Sequence, residues 1–128
     1  MKPNIVNSSA SPEIFIAEGC FIVEVWNTEE DPDLSVARAR VVAHTETIWH
    51  YLDVDERYFI SEGTGVMEIE GESPVVVTPG DVIAIPAGVA QRIRNETDHE
   101  LIFYCLCTPR FKPGTYHQCG EPSLDEKP

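Results

Sequence analysis

The sequence predicts an all-β fold, a sandwich or a closed barrel, and three observations carry that prediction. Short runs rich in Val, Ile, Phe and Tyr recur about every ten residues, many of them alternating apolar with polar. Clusters of Gly, Pro, Asn and Asp separate the runs. No stretch shows the apolar periodicity of a long helix.

Taken in chain order, the expected strands are residues 14–17, 21–26, 35–43, 58–61, 66–70, 75–77, 82–85, 91–95 and 101–107. The first two flank a Glu18-Gly19 turn, and the polar, proline-bearing stretch 27–32 leads into the third. Turns at 62–65 and 71–74 bound the fifth strand, and Pro79-Gly80-Asp81 precedes the seventh. Pro86-Ala87-Gly88 reverses the chain before 91–95, and 95–99 closes a hairpin into 101–107. Pro109 stops that last ladder because proline has no N–H to donate, and Phe111 anchors the tail. Residues 1–12 and 120–128 are polar and proline-bearing and are expected to fray, leaving 13–119 as the domain.

Composition narrows the function classes. At 42% apolar the 128 residues are too hydrophobic for a disordered chain and suffice for a single core. A net charge of −13, from 9 basic against 22 acidic residues, excludes a dominant basic surface for nucleic acid and disfavours anionic membranes. No run approaches the ~20 apolar residues of a membrane helix. The polar start Met1-Lys2-Pro3-Asn4 has no secretory character, so a cytoplasmic location is expected. Four cysteines, Cys20, Cys105, Cys107 and Cys119, contain no CxxC pair. Cys105 and Cys107 share a strand face and read as small buried hydrophobes.

Two segments place glycines, prolines and ligand-capable residues at fixed offsets. The first, HYLDVDERYFISEG, runs from His50 through Glu56 to Gly63, and the second, GDVIAIPAGVAQRIRN, from Gly80 to Asn95. Together they resemble the two motifs of the cupin superfamily, G(x)5HxH(x)3–4E(x)6G and G(x)5PxG(x)2H(x)3N. Gly80, Pro86, Gly88 and Asn95 match the second motif, with Gln91 where the family has a histidine. His50, Glu56 and Gly63 match the first, while Leu52 replaces its second histidine and His44 its opening glycine. The resemblance covers residues 35–109 and implies a single jelly-roll β-barrel.

It also implies a divalent metal, Mn, Fe, Ni or Zn, held by His50, Glu56 and Gln91. Leu52 and Gln91 weaken that set, since one imidazole is lost and another exchanged for an amide oxygen, which favours harder, oxygen-preferring ions. The alternative is a barrel without a metal, in which Gln91 and Glu56 hydrogen-bond each other. Asp53-Val54-Asp55 can turn the chain so that His50 and Glu56 come from facing ends of neighbouring strands. Period-two alternation puts Gln91, Ile93 and Asn95 on one face and Arg92 and Arg94 on the other.

Glu56 and Tyr58, which share a strand face, are the candidates for acid or base. Tyr58, His44 and His117 are the candidates for substrate contact. The expected function is a metal-dependent enzyme acting on a small molecule inside the barrel. The competing reading is a ligand-binding or sensor module that has lost catalysis. A homodimer is expected from the resemblance and from the apolar strands near the N-terminus.

Overall fold

The computed structural model describes residues 1–120, so only the first residue of the expected 120–128 tail is included. Among the described residues twelve strands form two antiparallel sheets, and the only helices are two short 3-10 turns, Ser8–Ala10 and Pro113–Thr115. In chain order the strands are β1 (Ile14–Phe15), β2 (Phe21–Trp26), β3 (Ser35–Val41), β4 (Thr45–Glu46), β5 (His50–Leu52) and β6 (Asp55–Glu62). They continue with β7 (Gly65–Ile69), β8 (Val75–Val77), β9 (Val82–Ile85), β10 (Gln91–Asn95), β11 (Leu101–Thr108) and β12 (Tyr116–Gln118). One sheet has the order β1-β2-β3-β11-β6-β9. The other has the order β12-β5-β10-β7-β8, with β4 also paired to β10. This is the all-β jelly-roll architecture expected from the sequence.

Each of the nine expected strands exists, and four have the expected limits. Three more, β4, β5 and β12, were not expected from the sequence. They are two or three residues long and are held by partners remote in the chain, as in Gln91↔His50 and Tyr116↔Leu52. Runs that short show no alternation, and these three lack the run of apolar β-formers between turns that made the equally short Val75–Val77 legible.

Alternation decides what enters the space between the sheets. In β6, Glu56, Tyr58 and Ile60 are buried while Arg57, Phe59 and Ser61 face outward. In β10, Gln91, Ile93 and Asn95 are buried and the two arginines lie on the other face. There Arg94 Nε pairs with Glu68 at 3.0 Å, and Arg92 pairs with the same carboxylate. The core between the sheets holds Val41, Ile60, Met67, Ile93, Leu101 and Phe103, all 2% exposed or less. Each such large side chain contributes about 1.5–3 kcal/mol by leaving water.

Two motif residues serve the fold. Gly63 has φ +81°, and a Cβ built on it would lie 2.3 Å from the carbonyl oxygen of Glu100. Only glycine fits where β6 turns against the start of β11. Asn95 is 1% exposed and donates from Nδ2 to the carbonyls of Val41 (3.0 Å) and His99 (2.7 Å). Its Oδ1 accepts from the Thr97 N–H at 3.0 Å, so one side chain closes the 95–99 turn and ties it to β3.

Candidate functional site

His50, Glu56 and Gln91 meet inside the barrel, and the way they meet follows from sheet membership. His50 and Gln91 are cross-strand partners in one sheet, whereas Glu56 lies on β6 of the other. The short Asp53-Val54 link therefore carries the chain from sheet to sheet. His50 and Glu56 thus come from opposite sheets, which corrects the expectation that they oppose each other on neighbouring strands. Gln91 Nε2 donates to Glu56 Oε1 at 2.6 Å, a buried bond across the two sheets.

A residue missed by sequence reasoning completes the group. Glu18, in the link between β1 and β2, has a side chain only 18% exposed, and its Oε2 lies 3.7 Å from His50 Nε2. Ile48 positions both partners. Its N–H donates to the Glu18 carbonyl at 2.7 Å, and its own carbonyl accepts from His50 Nδ1 at 2.6 Å. Gly19 has φ +90°, and a Cβ there would come within 3.2 Å of the Glu46 carbonyl oxygen, so the link can lie this close to residues 46–48. Glu18 beside a glycine reads locally as a surface turn, and no local signal distinguishes it from one.

The tautomer of His50 is set by this arrangement. A carbonyl only accepts, so Nδ1 carries the proton and Nε2 presents a lone pair. Burial holds the imidazole below its ordinary pKa and therefore neutral near pH 7. Nε2 of His50 and Oε1 of Gln91 are buried without a hydrogen-bond partner.

A cavity of about 400 Å³ opens beside these residues, with Glu18 and Glu56 in its wall. Ile14, Ile16, Ile22 and Phe111 supply apolar surface, and Ser11 and Pro12 bring in the N-terminal segment. Arg40 holds that segment down, with Nη2 2.6 Å from Glu13 Oε1. Glu18 and Glu56 are both pushed up to about 7. Loss of water is the main cause for each, and Glu56 is raised further by the negative charge of Glu18. Cys105 and Cys107 also line the cavity. Burial raises both thiols, Cys107 to about 12, so neither is a thiolate at neutral pH.

The remaining sequence candidates are dispersed. Tyr58 shares the inward face with Glu56, but its ring packs in the core 4.4 Å from Phe103 and is not part of the cavity wall. His44 sits outside the cavity at φ +59°, exposed, with Nε2 2.6 Å from Asp98 Oδ1. His117 is likewise outside, paired with Asp53 Oδ2 at 2.7 Å and stacked on Tyr51 at 4.8 Å. On β12 it is the preceding residue, Tyr116, that lines the cavity, with its ring 5.2 Å from His50. Leu52 is a buried apolar residue beside the site and brings no donor.

Whether a metal suits these residues turns on the donors. Among the described residues, no group of three or more His, Cys, Asp and Glu side chains converges as an ion site. Gln91 presents its N–H to Glu56, so its amide would have to turn over for the oxygen and the carboxylate to share an ion. The unpartnered His50 Nε2 and Gln91 Oε1 are the atoms that favour one.

Several solved structures share this fold. The polyketide cyclase RemF from Streptomyces resistomycificus superposes with a TM-score of 0.76 at 16% identity, covering 98% of this chain and 90% of that one. A Streptomyces PAC13 variant with uridine has a TM-score of 0.76 at 16% identity, covering 98% of both chains. KdgF from Halomonas gives 0.75 at 18% identity, covering 87% of this chain and 97% of that one. At such identities the likeness is one of fold. No curated protein matches the sequence. No helix among the described residues is long and apolar enough to cross a membrane. The model of the cupin domain matches residues 37–107, more than half of the chain, which therefore belongs to the cupin family.

Proposed function

We propose that this cupin is an enzyme that binds a small organic molecule in its barrel and moves protons on it, with Glu56 and Glu18 as the acid–base pair. The observation that carries the reading is the placement of two carboxyls on one largely apolar cavity, both raised to about 7. A group that titrates near the working pH is populated in both its acid and its base forms, which suits general acid–base catalysis. Glu56 is oriented by the Gln91 amide, and Glu18 by the bond from Ile48 to its backbone. His50 Nε2, a fixed lone pair beside Glu18, is the acceptor through which Glu18 can exchange its proton. Structural neighbours that include a polyketide cyclase and a protein with uridine support a small-molecule ligand.

The divalent ion expected at His50, Glu56 and Gln91, which would supply Lewis-acid chemistry, is the second reading. The two unpartnered acceptor atoms favour it. The cytoplasmic location and the homodimer belong with these proposals.

The test has two parts. Carboxyl resonances of Glu18 and Glu56 are followed by NMR against pH, and a panel of carbonyl and hydroxyl compounds is incubated with the protein in D2O. Midpoints near 7, with deuterium incorporation that Glu56→Gln lowers at least a hundredfold, support proton transfer. Midpoints in the usual carboxylate range with no exchange from any bound compound refute it and leave a non-catalytic binding module. Metal content after incubation with Mn²⁺, Fe²⁺, Ni²⁺ or Zn²⁺ decides the second reading: stoichiometric ion that His50→Ala removes supports it, and none bound rejects it.

A further inference from the structure

We infer that the cavity selects an apolar molecule carrying one protonated amine, seated on the carboxylates of Glu18 and Glu56. The inference rests on the reading of the barrel cavity as the ligand site and specifies the chemistry of that ligand.

The first support is the charge of the wall. Three carboxyl side chains, Glu18, Glu24 and Glu56, line the cavity, and none of the described residues lining it is a lysine or arginine. A phosphate or carboxylate would find no counter-charge there, and burying an unpaired charge is costly.

The second support is independent of charge and concerns hydrogen-bond polarity. With Nδ1 of His50 committed to the Ile48 carbonyl, the unpartnered Nε2 is an acceptor. With the amide N–H of Gln91 committed to Glu56, its unpartnered Oε1 is also an acceptor. Both residues are fully buried, and each contacts one of the two cavity carboxyls: His50 at 3.7 Å from Glu18 and Gln91 at 2.6 Å from Glu56. Both unpartnered atoms behind the cavity carboxyls are thus acceptors, and the Tyr116 hydroxyl in the wall serves either way. An ammonium has three donors and no acceptor, which complements such a set.

The third support is the remaining surface. Ile14, Ile16, Ile22, Ala37 and Phe111 give the rest of the wall to apolar contact. A volume of about 400 Å³ lies within the range of sites for small organic molecules. One cationic head and an apolar body therefore match the cavity end for end.

Three compounds of nearly one shape separate the alternatives: benzylamine, benzyl alcohol and benzoate, each titrated at pH 8 into the full chain and followed by protein-observed NMR. Benzylamine is expected to bind at least tenfold more tightly than benzyl alcohol, with benzoate giving no shifts. Glu18→Gln and Glu56→Gln should each weaken benzylamine about tenfold while leaving benzyl alcohol unchanged, which also shows that the variants are folded. Equal affinity for the alcohol and the amine would overturn the cationic class and leave the cavity as a ligand site. Failure of both compounds to shift any cavity residue would overturn the inference together with the reading it rests on. Mn²⁺ binding tightly where benzylamine does not would overturn it in favour of an ion.

Discussion

Glu56→Gln is expected to make the protein more stable at pH 8 and to leave it nearly unchanged at pH 4. Glu56 is 6% exposed, and burial together with the charge of Glu18 raises it from 4.5 to about 7. In the unfolded chain the same carboxyl ionises near 4.5. Between those two values the native state holds a proton that the unfolded state has released, so native stability falls as pH rises through this window. Above about pH 8 the native state carries the full cost of an ionised buried carboxylate, about 3 kcal/mol for a displacement of this size. Below about pH 4 both states are largely protonated and the cost vanishes. Glutamine keeps the shape, never ionises, and still offers an oxygen to Gln91 Nε2, which now donates to Glu56 at 2.6 Å. The gain at pH 8 is therefore up to about 3 kcal/mol, a large share of the roughly 5–15 kcal/mol typical of a domain. Urea denaturation of wild type and variant at pH 4 and pH 8 measures it as a double difference. An equal effect at both pH values, or a loss of stability at pH 8, would refute the assignment of Glu56 as a carboxyl with a raised pKa.

The remaining predictions separate fold from site. Gly63→Ala would set a methyl group 2.3 Å from the Glu100 carbonyl oxygen at φ +81°, so thermal melting should show a loss of at least about 2 kcal/mol or no folded protein. Asn95→Ala leaves the Val41 and His99 carbonyls without their side-chain donor and should cost about 1–3 kcal/mol in urea, whereas a change under about 0.5 kcal/mol would show the bonds to be dispensable. His117→Ala removes a solvent-accessible pair with Asp53 and a stacking contact with Tyr51, both outside the cavity, so stability should change by less than about 1.5 kcal/mol and ligand titrations of the cavity should be unaffected.

How much of this was legible in the sequence differs between strands and site. Longer strands were readable because alternation over four or more residues reports the two faces of a sheet, as in 91–95, where Gln91, Ile93 and Asn95 point inward. The turn glycines and prolines were readable because their constraint is local to the backbone. Strands β4, β5 and β12 were not, since two or three residues show no period and, unlike the three valines of β8, their mixed polar composition gives no other strand signal; partners remote in the chain hold them. His44 and His117 were drawn into the site by residue type, yet each is taken up by a surface aspartate, Asp98 or Asp53, that is distant in sequence.

Turn chemistry and a period of two determined an all-β fold and put Gln91, Ile93 and Asn95 on one strand face with Arg92 and Arg94 on the other. The closed barrel with Glu56 and Gln91 inside it came from the resemblance to the cupin motifs. Only the tertiary structure decided what those inward residues meet. It brought Glu18 from the β1–β2 link to within 3.7 Å of His50, across 32 positions of chain, through the backbone of Ile48. It also set Gln91 against Glu56 across two sheets, which engages the amide N–H and leaves the oxygen unpartnered. Distances of that kind depend on how the sheets close on each other, and the raised carboxyls arise from that closure because desolvation is a property of the assembled interior.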